Sequence, residues 1–280
     1  MKNGNRQGGG RILVVALLVF SFAAGALLVV LLKGYTGLER RTGEVTVTKE
    51  EPPSIPVPEP VARVAIVIDD MGTDLGKLES LIDLDVPVTV SVLPHLRHSR
   101  DVAEMAHASG LEVMLHLPME PINPTVNNPG DGALFTGMPT DEIRSLLLAD
   151  IESIPYLSGV NNHMGSRFTE DERGMRVVFE VLSQRGFFFL DSRTSPRSVA
   201  LKLAHEFGVR SASRNVFLDN KREKEYIRGQ FEELLRIARK RGRAIAIGHP
   251  YPETISVLKE ALGSLEDEGI EVVSVSELME

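Results

Sequence analysis

Arg63-Val64-Ala65-Ile66-Val67-Ile68-Asp69-Asp70-Met71-Gly72 is the stretch on which the fold turns. A strand with one wet face alternates apolar and polar residues. Val64–Ile68 is apolar on both faces, as a parallel strand covered by helices must be. It then stops abruptly at two aspartates and a glycine. The same grammar recurs downstream. Strands are expected at Val86–Val92, Glu112–Leu117, Gly159–Asn162, Phe187–Leu190, Asn215–Leu218, Ala244–Ile247 and Glu271–Val275. Helical spacing lies between them: Leu75, Leu78 and Ile82 share a face, as do Ile143, Leu146, Leu147 and Ile151, and Val177, Val178, Val181 and Leu182. Thr140 is the expected N-cap of the second of these helices, and Pro196 and Pro252 are expected at first helical positions. About eight strands alternating with helices predict an α/β fold, a (β/α) barrel rather than a sandwich. A doubly wound open sheet is the alternative.

Upstream of this unit the composition changes. Lys2, Arg6 and Arg11 precede a charge-free run from Ile12 to Leu32. At about 1.5 Å per residue such a helix matches a bilayer core. The spacing predicts one transmembrane helix, with residues 1–33 as cytoplasmic stub and anchor; a cleaved signal peptide, whose apolar region is usually shorter, is the alternative. The chain beyond it would then face the periplasm or the exterior, held at the inner (cytoplasmic) membrane. Residues 34–61 are Pro/Glu-rich (Glu50-Glu51-Pro52-Pro53 through Pro60) and read as a semi-rigid linker. Residues 62–280 form the folded domain.

The whole chain of 280 residues is 42% hydrophobic and 25% charged, ordinary globular composition. It has no cysteine, which excludes disulfide frameworks, thiolate metal sites and cysteine nucleophiles. A net charge of −8 argues against nucleic acid as a partner.

In a (β/α) barrel the reactive groups sit just past the C-terminal ends of the strands. Those positions hold Asp69-Asp70, His116 to Glu120, Asn161-Asn162-His163 to Ser166, Asp191-Ser192-Arg193, Asp219-Asn220 and Gly248-His249. Singly, each has an ordinary explanation: Asp69-Asp70 a helix cap, His116 or His163 a satisfied core histidine, Asp191 and Arg193 an ion pair. Jointly they point to a metal centre with an acid/base pair. Imidazoles and a carboxylate suit Zn²⁺ or another first-row divalent ion and leave positions open. Of two adjacent aspartates at a strand end, one can hold the metal while the other takes a proton. His95, His98, His107 and His205 are read as surface residues. The loop Asn123–Met138 is expected to cover the pocket.

Taken together, Ile68-Asp69-Asp70-Met71-Gly72, His116-Leu117-Pro118-Met119, Asn162-His163-Met164-Gly165-Ser166, Leu190-Asp191-Ser192-Arg193-Thr194, Phe217-Leu218-Asp219-Asn220 and Gly248-His249-Pro250 resemble the divergent polysaccharide deacetylase family, itself similar to the nodulation-type carbohydrate deacetylases. The resemblance covers roughly residues 62–280. It implies an irregular (β/α) barrel of about seven parallel strands and metal-dependent de-N-acetylation of a cell-envelope glycan or acetylated oligosaccharide. By it Asp69 matches the base, Asp70 and His116 metal ligands, and His249 the acid. The better-known deacetylases carry a second metal histidine where this chain has Glu120. The triad is therefore completed by His163 or by Glu120, and His163, alone at its own strand end, is preferred. Asp191 and Arg193 are placed in the catalytic set, and Asn162, Ser166, Asp219 and Glu120 among substrate-binding residues. A noncatalytic envelope protein on the same fold, binding glycan or a protein partner, is the competing reading.

Overall fold

A computed structural model describes residues 62–280. The expected anchor and the linker lie outside them; among the described residues no helix is long and apolar enough to cross a membrane. The elements are β1 (Ala62–Met71), α1 (Leu75–Ile82), β2 (Thr89–Val92), α2 (Ser99–Ala108), β3 (Glu112–Met119), α3 (Thr140–Ser153), β4 (Leu157–Met164), α4 (Glu172–Arg185), β5 (Phe188–Asp191), α5 (Ala200–Phe207), β6 (Ser211–Ser213), β7 (Val216–Phe217), α6 (Lys224–Arg241), β8 (Arg243–Gly248), α7 (Pro252–Ala261) and β9 (Ile270–Val272). The strands run parallel in the order β6-β5-β4-β3-β2-β1-β8-β7, with β9 beside the start of β1. The sheet curls into an open barrel whose two end strands, β6 and β7, do not pair with each other.

Alternation along each strand sorts the core into two compartments. Val64, Ile66 and Ile68 of β1, Leu115 and Leu117 of β3, Val160 of β4 and Ala244 and Ala246 of β8 pack outward against the helices. Ala65 and Val67 of β1, Met114 of β3, Phe188 and Leu190 of β5, and Ile245 and Ile247 of β8 pack in the lumen with Val275 and Leu278 from the C-terminal segment. Stepping by two from Val67, Met114 and Ile247 reaches Asp69, His116 and His249, and on β4, where Val160 packs outward, the alternate positions are Asn161 and His163. The same alternation that builds the inner core therefore delivers the polar groups to one mouth of the barrel.

Several expected boundaries move. Val86–Val92 shortens to Thr89–Val92, because Asp85 takes a left-handed turn (φ 54°) ahead of Pro87. Thr140 is the first helical residue of α3 rather than its cap, which is Pro139. Pro196 lies in a turn before α5, where the Ser195 hydroxyl donates to Glu170 and accepts from the Arg197 amide. Pro252 does open its helix. Ser211-Ala212-Ser213, too polar to announce a strand, forms β6.

Candidate metal and acid–base site

β1 and β3 are tied into the sheet on either side of β2, and β3 is in register with β4 so that His116 lies opposite Asn161 and Pro118 opposite His163. At the end of β1, Asp70 adopts a left-handed backbone (φ 57°), a conformation uncommon for a non-glycine residue and one of the strained states that gather at functional sites. Its Oδ1 lies 3.0 Å from His163 Nδ1 and 3.3 Å from His116 Nε2, and the two imidazole nitrogens are 3.0 Å apart. Donors held about 2.0–2.2 Å from a tetrahedral ion stand roughly 3.3–3.5 Å from one another, so the triangle is slightly tighter than a loaded site.

Three lone-pair-bearing atoms aimed at one point repel unless a cation or protons lie between them. Asp70 Oδ1 is buried, and its polar neighbours are those two imidazole nitrogens. His116 has its other nitrogen committed: Nδ1 donates to Asn161 Oδ1 at 2.8 Å, leaving Nε2 free to ligate. That amide orientation is assigned from its neighbours, since Asn161 Oδ1 also accepts from the Ser91 hydroxyl (2.6 Å) and Nδ2 donates to Asp69 Oδ1 (2.8 Å). The donor set fits a divalent metal.

The electrostatics agree. Burial would raise the Asp70 carboxyl, but hydrogen bonds and positive charge from His116 and His163 hold it well below the usual carboxylate range. Burial dominates at Asp69, which is pushed up against the pull of His116 and Asn161. Burial would lower His116, yet Asp69 and Asp70 more than offset it and raise the imidazole. The cluster thus collects positive charge, as protons where no metal competes.

His249 stands on the opposite side, its Nε2 3.5 Å from Asp70 Oδ2. Its Nδ1 donates to Asp219 Oδ1 at 2.9 Å, while Asp219 Oδ2 accepts from the His249 amide and from the Thr254 hydroxyl, both at 2.7 Å. The Asp219 partnership, opposed by burial, raises the His249 imidazole. A cavity of about 390 Å³ opens beside the cluster, lined by Asp70, His163, His249, Lys77, Tyr251 and the loop residues Asn128 to Gly130. The 123–138 loop therefore forms one wall of the pocket.

Other expected site residues sit elsewhere. Asp219 does not line the cavity: it is buried with both oxygens occupied, and it orients His249. Asn162 points to the opposite side of β4 from Asn161; it is 1% exposed and spends its amide on Met164, Thr194 and the Ser192 backbone. Glu120 neither joins the metal cluster nor lines the cavity. Its Oε2 accepts from the Thr136 amide and hydroxyl, both at 2.7 Å, so it staples the pocket loop to β3. Ser166 accepts from the Ile122 amide and clamps the base of that loop. Asp191 is buried and caps its own turn by accepting from the Arg193 amide. Arg193 is exposed and lines a separate cavity. His95, read as a surface residue, leans onto the buried Asp150 at 2.7 Å. The residue missed was Asn161, although its place in phase with His163 on β4 could have marked it.

The sequence profile of the divergent polysaccharide deacetylases matches residues 66–279. An uncharacterized protein of Escherichia coli K12, YibQ, is 37% identical over 219 residues, which span 78% of this chain and 67% of that one. An uncharacterized protein of Haemophilus influenzae is 36% identical over 217 residues, spanning 78% and 76%. The crystal structure of an uncharacterized protein from Agrobacterium tumefaciens C58 superposes with a TM-score of 0.74 at 28% identity, covering 78% of this chain and 89% of the other.

Proposed function

The chain belongs to the divergent polysaccharide deacetylase family, and we propose that it is a metal-dependent amide hydrolase that removes N-acetyl groups from a cell-envelope carbohydrate. The observation that carries this reading is the meeting of Asp70, His116 and His163 within coordination distance of one another, flanked by Asp69 on one side and His249 on the other. The two imidazoles and one carboxylate suit Zn²⁺. When bound, such an ion supplies Lewis acidity, polarising the acyl carbonyl and easing the ionisation of water.

The chain's own groups do the rest. Asp69, raised by burial against the pull of His116 and Asn161, accepts a proton as water attacks the acetyl carbon. Asn161 fixes Asp69 Oδ1, and Asp69 Oδ2 faces His116 Nε2 at 3.5 Å. His249, aimed by Asp219, which favours its protonated form, gives its Nε2 proton to the amide nitrogen as the C–N bond breaks. Acetate and a free amine leave, and the proton on Asp69 returns the pair to its starting state through solvent. The membrane anchor expected at residues 12–32 would hold this chemistry at the outer side of the inner membrane.

Acetate release from chitooligosaccharides and from peptidoglycan by the zinc-loaded full chain tests the proposal. Release that disappears in Asp69→Asn while zinc stays bound supports it. A zinc-loaded chain that frees no acetate from either substrate refutes it in favour of a noncatalytic, glycan-binding role.

A further inference from the structure

The barrel's open seam holds a second and larger cavity, about 780 Å³, between β6 and β8. Five arginines line it, Arg193, Arg210, Arg214, Arg241 and Arg243, with Glu280 as the one acidic residue. This concentration stands out in a chain whose net charge is −8. Only Arg243 has a carboxylate within ion-pair distance among the described residues, that of Glu280. Arg214 donates to the Ser192 and Arg193 carbonyls, at 2.8 and 3.4 Å, and Arg210 to the Ser276 carbonyl at 3.3 Å. Carbonyl oxygens orient a guanidinium but do not neutralise it.

Two further features set this cluster apart from ordinary solvated arginines. Arg214 is half-buried over the Phe217 ring, 4.9 Å from its centroid, so its charge is partly desolvated. Burial and the neighbouring Arg193 charge both disfavour its protonated form, and Asp191 behind them offsets this only in part. Arg193 is presented from a left-handed backbone (φ 51°), a strained conformation that persists only where its surroundings enforce it.

We propose that the seam cavity binds a small multivalent oxyanion, a ligand with at least two phosphate or carboxylate groups, through Arg193, Arg214 and Arg241. Guanidinium forks match both groups bidentately, and a univalent ion would leave most of the cluster uncompensated. The cavity volume lies within the range of small-molecule sites. This cavity shares no lining residue with the one beside the metal cluster, although Arg214 also feels the Asp69 charge, and the proposal does not depend on the deacetylase reading.

The test is calorimetric titration of the full chain with inorganic pyrophosphate and, separately, with citrate. Both are run at low ionic strength on chain dialysed beforehand free of metal and of chelator, so that the metal site takes no part. One-to-one binding is expected, weakened at least tenfold in Arg193→Gln/Arg241→Gln, a surface double variant that keeps its wild-type zinc affinity and thermal stability. Acetate, the univalent control, is expected to bind at least tenfold more weakly than either. The anion that binds more tightly names the preferred group. Failure of both anions to bind the wild type, or equal affinity for the double variant, overturns the proposal.

Discussion

Replacing Asn161 by leucine, which keeps its size and removes its polarity, probes the device that prepares the site. Asn161 is fully buried and satisfies three groups at once: the Ser91 hydroxyl, His116 Nδ1–H and Asp69 Oδ1. The variant strands all three. An unsatisfied buried polar group costs about 1–3 kcal/mol, and partial relaxation puts the total near the low end, about 3 kcal/mol. In a domain of this size that corresponds to a fall in Tm of roughly 6–12 °C. The functional loss is distinct from the loss of stability. His116 no longer has its tautomer fixed with Nε2 toward Asp70, and loss of such an outer partner typically weakens metal binding about 10–100-fold, or roughly 1.4–2.8 kcal/mol. Zinc affinity is read by competition with a chromogenic chelator at a temperature where the variant is folded. An affinity within twofold of wild type would refute the reasoning, because the Asn161 amide would then have no part in presenting His116.

Three other outcomes follow from the same contacts. Asp219→Asn leaves zinc affinity unchanged but lowers kcat for acetate release by about 10–100-fold, a share of what general acid catalysis contributes, because His249 loses the carboxylate that aligns and charges it; an unchanged kcat would remove Asp219 from the mechanism. Asp150 is buried, its Oδ2 has no partner, and burial lifts its carboxyl to about 7 despite His95. The folded chain therefore holds a proton there that the unfolded chain, at 3.8, releases, so stability is lost as pH rises from about 4 to 7 and is level above. Asp150→Asn should flatten that part of a pH series of urea unfolding and gain up to about 4 kcal/mol at pH 8; an unaltered pH profile would contradict this. Gly159→Ala sets a methyl group 2.4 Å from the Phe188 ring in the lumen, overpacking that should cost about 1–3 kcal/mol in the same unfolding assay, and a neutral substitution would mean that β4 and β5 are looser than the register indicates.

Hydrophobic runs made most of the fold legible, because parallel strands buried on both faces cannot disguise themselves as anything polar. β6 escaped because Ser211-Ala212-Ser213 gains its place from pairing with β5 and has no apolar signal of its own. Strand-end chemistry was legible for Asp69, His116 and His249, since all three are in phase with apolar lumen residues of their own strands; His163 follows Asn161 on the lumen side of β4, and Asp70 is turned into the cluster by its left-handed backbone. The errors came from reading neighbours as equivalent. Asn161 and Asn162 differ by one residue and so face opposite sides of β4, and only the first reaches the site. Asp219 and Glu120 were visible as strand-end acids, but which group they serve depends on Thr254, Thr136 and the path of the pocket loop, contacts that no local pattern encodes. Arg193 follows β5 in sequence, yet its left-handed turn carries it to the seam.

The central claim is that Asp70, His116 and His163 hold one divalent ion between them, and elemental analysis of the zinc-equilibrated full chain after exhaustive dialysis tests it most directly. One zinc per chain is predicted for the wild type and for Asp69→Asn, with less than a tenth of that retained by Asp70→Ala and by His163→Ala. A wild-type chain that emerges without metal, or a full complement of zinc in either ligand variant, would contradict it.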